Sequence, residues 1–126
     1  ASLSAAIDAA GPDPEKRLLA VFDWHEAWFG TADFKGCVFI RALSEYPDPT
    51  HPIHQTAWRH KLAITNTLAD LGAAAGAKDP AALAETLNML IDGAIVTAHA
   101  TQSTAPARSA RATAAALLQL AQASAV

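Results

Sequence analysis

The stretch at residues 79–101, DPAALAETLNMLIDGAIVTAHAT, decides the fold. Asp79 before Pro80 is a helix start, because the carboxylate can cap free amides and proline's fixed φ suits the first turn. Downstream, Leu83, Leu87, Leu90, Ile91 and Ala94 recur on one side of a helix, while Met89 and Val96 fall on another. A helix that is apolar on two sides has to be covered from two directions. The segment therefore predicts a central helix in an all-α bundle.

Working outward, TQSTAP at residues 101–106 signals a turn, and the closing helix from Ala105 is an alanine and leucine surface whose only charges are Arg108 and Arg111. Upstream, a long helix is expected from Thr50, with Pro52 in its first turn, to about Ala75 before Gly76; Trp58, Leu62, Thr65, Leu68 and Gly72 form its expected inner face. A shorter helix is expected from about Asp33 to Tyr46, ended by Pro47-Asp48-Pro49. Only Arg41 is charged between Gly36 and Leu43, so burial nearly all round is expected there. Asp13 and Pro14 open an amphipathic helix running to Phe29, with Leu18, Val21, Phe22, His25, Trp28 and Phe29 on one face. A short lead helix ends near Ala10. The expectation is one antiparallel bundle of about five helices plus this lead helix, spanning residues 1–126.

The bulk composition agrees. Hydrophobic residues are 52% of the 126 and charged residues 17%, below the quarter usual for soluble domains, so apolar surface beyond an ordinary monomer core is expected. Net charge is −3 with no block of Lys or Arg, which argues against a nucleic-acid footprint on this chain. The single cysteine, Cys37, cannot form an internal disulfide and suits a reducing, cytoplasmic compartment. The uncharged runs after Asp92 and Arg111 are broken by His99, Gln102 and Gln119, so no membrane span is expected.

Chemistry has little to stand on. His51 and His54 at i, i+3 are the best metal pair, but only Asp48 is near them in sequence. Glu26, Glu45 and Glu85 have no histidine three residues on, so the Glu-x-x-His pattern of di-metal bundles is missing. Cys37 lies in an apolar run where a thiolate is costly. There is no Gly-rich phosphate loop, G-x-S-x-G or CxxC, so neither catalysis nor a cofactor is expected.

The strings FKGCVFIRALSEYPDPTHPI, LGAAAGAKDPAALAETLNMLIDGAIV and RSARATAAALL resemble the C-terminal regulatory domain of TetR-type transcriptional repressors. The resemblance covers about residues 18–118. It implies a ligand cavity among the first four helices, and a homodimer in which the last two helices of each subunit form a four-helix bundle. In such repressors an N-terminal helix-turn-helix reads the operator; this sequence lacks that part, so operator binding would belong to a longer parent protein. Together with the helical faces, this makes Trp24, His25, Trp28, Cys37, Ile40, Trp58, Leu62, Thr65, Leu87, Leu90 and Ile91 the expected pocket residues, taking a small apolar or aromatic effector. Ala94, Ile95, Ala98, Ala110, Ala114, Leu117 and Leu118 are the expected dimer contacts. Two rivals stand beside this reading: a helical metal protein or enzyme using His25, His51, His54 and Cys37, and a dimerisation domain without a ligand.

Overall fold

The computed structural model describes residues 2–122, which form α1 (Leu3–Ala9), α2 (Pro14–Phe29), α3 (Val38–Glu45), α4 (Pro52–Ala74), α5 (Pro80–Thr101) and α6 (Ala105–Gln122). Side-chain caps set most of the starts. Asp13 accepts from the Glu15 amide at 3.0 Å, and Asp79 accepts from the Ala82 amide at 3.2 Å. The His51 ring, through Nδ1, accepts from the Ile53 amide at 3.1 Å, leaving Pro52 in the first turn of α4. Each such cap is worth about 1 kcal/mol.

α5 is the central element, packed against α4 on one side and α6 on the other, with α2 closing over all three. Its Leu83, Ala84, Leu87, Ile91, Ala94, Ile95 and Ala98 are buried and meet Leu18, Phe22, Leu68 and Leu118 in one continuous core. Burying each of the larger side chains contributes about 1.5–3 kcal/mol. On the outside, Arg108 pairs with Glu26 at 3.0 Å and Arg111 with Asp23 at 2.9 Å, tying α6 to α2. The two remaining charges of the closing helix thus orient it on the bundle. α5 also has the length and mean hydropathy of a bilayer span, unlike the expectation from its polar breaks. Its two-sided packing makes it a core helix of this bundle.

Two expectations fail in instructive ways. The helix expected from Asp33 begins instead at Val38, because Gly36 adopts φ +83 and the residues before it are turns. That left-handed conformation is open to glycine and interrupts any helix. None of α3 is buried, and Val38 is 58% exposed; α3 packs on α4 alone among the well-contacted pairs. A run of apolar residues is what a doubly covered helix and a groove-lining helix have in common.

The face of α4 is also rotated. Leu68 and Gly72 are buried as expected, but in the first half Ala57 and Lys61 are inside while Trp58 and Leu62 are 54% and 44% exposed. Reading lysine as an outside residue is the usual rule. Here the rule breaks because a carboxylate on α5 receives Lys61.

Candidate functional site

That pair lies in a cleft of about 570 Å³ between α3, α4 and α5. α3 contributes Ile40, Leu43 and Ser44, α4 contributes Trp58 and Lys61, and α5 contributes Asn88, Asp92, Gly93, Val96 and Thr97. Asn88 and Asp92 are four residues apart, so one face of α5 presents both. Trp58 and Val96, both more than half exposed, form the rim. This is an open cleft with apolar walls and a polar floor.

The floor is charged but balanced. Lys61 Nζ donates to Asp92 Oδ1 in a close ion pair, with the lysine side chain 5% and the aspartate 33% exposed. Both line the cleft, and the carboxylate is the more exposed partner. Beside them, Asn88 Oδ1 is buried and has no hydrogen-bond partner. Behind them, His25 is buried and its Nδ1 lies 2.7 Å from the Val21 carbonyl. The carbonyl only accepts, so Nδ1 carries the proton of a neutral ring. Burial holds the His25 pKa below its ordinary 6.5, opposed by the Val21 hydrogen bond and reinforced by the positive Lys61.

The residues expected to line a pocket are scattered over several places in the fold. Ile40 and Trp58 do line the cleft. Leu87 and Ile91 are 0% and 2% exposed and belong to the core, so they offer no surface to a ligand. Leu90 points into a different groove, between α5 and α6. Trp24, Trp28, Phe29 and Phe34 build an aromatic stack around His25, with Trp24 and Trp28 stacked at 5.7 Å and Trp28 edge-on to Phe34 at 4.8 Å. Cys37 is half-buried against the core, the Thr65 hydroxyl donates to the Lys61 carbonyl at 2.9 Å, and Leu62 faces outward. The three polar floor residues were missed. Asp92 as the one charge between Glu85 and His99 was the available signal.

Most of the residues expected as dimer contacts are covered within one chain. Ile95, Ala98, Ala114 and Leu118 are 0–3% exposed inside a single chain, and a side chain already covered has no area left to give a partner. Ala94 and Ala110, at 8% and 6%, only floor a groove of about 610 Å³ between α5 and α6. Leu117 is half-buried in a separate groove near Lys78. What stands outward on these helices is Met89, Val96 and Leu120, 55–72% exposed. Gly93 sits among them, and a Cβ there would meet nothing within 4 Å.

The histidines offered to a metal have other roles. The His54 ring, through Nδ1, lies 2.7 Å from the Tyr46 carbonyl, and His51 caps α4 while its ring lies over Tyr46. Among the described residues, no three His, Cys, Asp or Glu side chains gather in a metal-holding group.

Comparison with known proteins places this geometry. A family model described as "Tetracyclin repressor-like, C-terminal domain" matches residues 14–114. The HTH-type transcriptional regulator YjdC of Escherichia coli K12, and its counterpart in Shigella flexneri, are 33% identical over 81 residues, 64% of this chain and 42% of theirs. The chain thus spans less than half the length of these relatives. The crystal structure of SCO4454, a TetR-family transcriptional regulator from Streptomyces coelicolor, superposes with a TM-score of 0.86 at 27% identity, covering 96% of this chain and 66% of that one. With the family model matching residues 14–114 and the superposition covering 96% of the chain, the chain belongs to the tetracyclin repressor-like C-terminal domain family of TetR-type transcriptional regulators.

Proposed function

We propose that this chain is the effector-sensing and dimerisation domain of a cytoplasmic TetR-type regulator, with operator DNA contacted only through an N-terminal domain outside this chain. The observation that carries the sensing role is the cleft itself: apolar walls from three helices converge on a few buried polar groups, the usual form of a small-molecule site. The effector is a small molecule with an apolar or aromatic body. It needs no cofactor, metal or membrane.

The partner is a second copy, seated on the α5–α6 face. Gly93 supports this: a glycine inside a helix costs roughly 1 kcal/mol relative to alanine, and nothing within the chain requires the missing Cβ. A closely approaching helix from outside would require it. Gly93 and Thr97 border both the cleft and the α5–α6 groove, so effector and partner share α5 as a common wall. Occupancy regulates DNA binding only by the difference in its affinity for two dimer arrangements.

The test has two arms. Sedimentation of the chain should give a dimer at micromolar concentration, and calorimetric titration with a neutral alkylated aromatic, 4-butylphenol, should show saturable binding that Trp58→Ala weakens. A monomer removes the dimerisation half of the reading. Absence of binding at about 1 mM, the limit of a −4 kcal/mol interaction, removes the sensing half.

A further inference from the structure

Resting on the sensing role just proposed, we infer that the cleft reads an uncharged carboxamide-type head, its carbonyl accepting from the Asn88 side-chain amide and its N–H donating to the Asp92 carboxylate. Asn88 is half-buried and lines the cleft, with its Oδ1 turned inward. Among the described residues that oxygen is the one buried side-chain polar atom without a partner, so Nδ2, which donates to no protein group, is solvent-accessible. This orientation of the amide is the favoured one, since an orphaned buried N–H is tolerated less than an under-satisfied carbonyl. Asp92, one-third exposed, spends one oxygen on Lys61 and keeps lone pairs for a second donor. The two residues are four apart on α5, so a donor and an acceptor stand side by side with Cβ atoms about 5–6 Å apart. A carboxamide carries the matching acceptor and donor on one carbon.

Charge balance selects against ions. Lys61 and Asp92 both line the cleft as a close ion pair, so the floor carries opposite charges that cancel. A carboxylate head that approaches Lys61 meets Asp92 as well, and an amidinium that approaches Asp92 meets Lys61. Either ion gives up its hydration for a floor of no net charge, which costs more than it does for a neutral head. A head that only accepts, such as a ketone, serves Asn88 yet covers Asp92 without giving it a donor. The neutral carboxamide satisfies both, while its apolar body rests on Ile40 and Leu43 with the Trp58 indole at the rim.

The experiment titrates four probes of one body and nearly one shape calorimetrically at pH 7: 4-butylbenzamide, 4-butylacetophenone, 4-butylbenzoate and 4-butylbenzamidinium. The amide should bind at least about tenfold more tightly than each of the others, the loss expected when a covered polar group goes unpaired. Two variants separate the two contacts. Asn88→Leu should weaken amide and ketone alike, by about fivefold for one lost hydrogen bond, and keep the ratio between them. It should melt no lower than the parent chain, because its unpaired buried oxygen is gone. Lys61→Met with Asp92→Leu should bring the amide to the level of the ketone. Benzoate or benzamidinium binding as tightly as the amide overturns the inference. So does an amide-to-ketone ratio that persists in the double variant, or a ketone affinity unchanged by Asn88→Leu. Four equal affinities refute head selection and leave the cleft standing as a site for apolar bodies. If none of the four binds, 4-butylphenol decides: its binding keeps the sensing role and refutes this inference, and its failure removes both.

Discussion

Removing Asp92 tests the floor of the cleft most directly, because the two partners of its ion pair are buried unequally. Asp92→Ala leaves the Lys61 ammonium, 5% exposed, without its counter-charge. Uncompensated buried charges cost about 3–5 kcal/mol, and the lower end, about 3 kcal/mol, applies because solvent reaches the cleft above Lys61. For a chain of this size the melting midpoint should fall by roughly 12 °C. Lys61→Met strands only Asp92, whose carboxylate is one-third exposed and can rehydrate, so its cost should resemble that of an exposed pair, about 1 kcal/mol or less. Replacing both, Lys61→Met with Asp92→Leu, should return stability to within about 1 kcal/mol of the parent or exceed it. Urea unfolding followed by circular dichroism, with every variant at one protein concentration because dimer stability depends on it, gives all three numbers. Equal, small losses for the two single variants would mean that the Lys61 ammonium reaches water, and the described floor would be wrong.

The remaining predictions concern the rim, the outer face and the buried histidine. Trp58→Ala should change stability by no more than about 0.5 kcal/mol, as usual for a surface site, since the side chain is more than half exposed; a loss of 4-butylphenol affinity measured alongside is then a binding effect. Met89→Glu with Val96→Glu places charges on exposed positions of α5 and should yield a folded monomer in sedimentation, whereas Leu118→Glu, at a fully buried position, should unfold the chain; a dimeric double variant moves the interface elsewhere. For His25, burial lowers the folded pKa below 6.5, so the unfolded chain binds the proton first. Stability should therefore fall as pH drops below about 6.5 and level off below the folded pKa. His25→Phe should flatten that slope in melts taken between about pH 5 and 7; His60, lowered in the same direction but exposed, leaves a small residual slope, and an unchanged profile would refute the assignment to His25.

The helices were legible because their punctuation is local chemistry. Asp13-Pro14, Thr50 with Pro52, Asp79-Pro80 and the TQSTAP turn mark helix starts by local chemistry, and α2, α4, α5 and α6 all begin within about two residues of where those signals predict. Gly36 misled for the same reason in reverse: FKGC reads as helix by composition, and only the adopted φ of +83 makes it a turn. The aromatic residues of α2 were expected to wall a cavity, yet they close on one another around His25, which ring size and spacing do not foretell.

What the sequence by itself determined is therefore the all-α class, the order of the helices, the apolar character of α5 on two sides and the family. Which side faces which neighbour belonged to the tertiary structure. Helical periodicity fixes relative angles along one helix but leaves its rotation against the others free. A rotation of one residue, about 100°, carries Trp58 and Leu62 out and Ala57 and Lys61 in. That choice depends on Asp92, 31 residues away along the chain. A lysine becomes an inside residue only when folding brings a carboxylate to meet it. No pattern within α4 could announce that, and for the same reason the polar floor of the cleft became visible only once α4 and α5 were packed together.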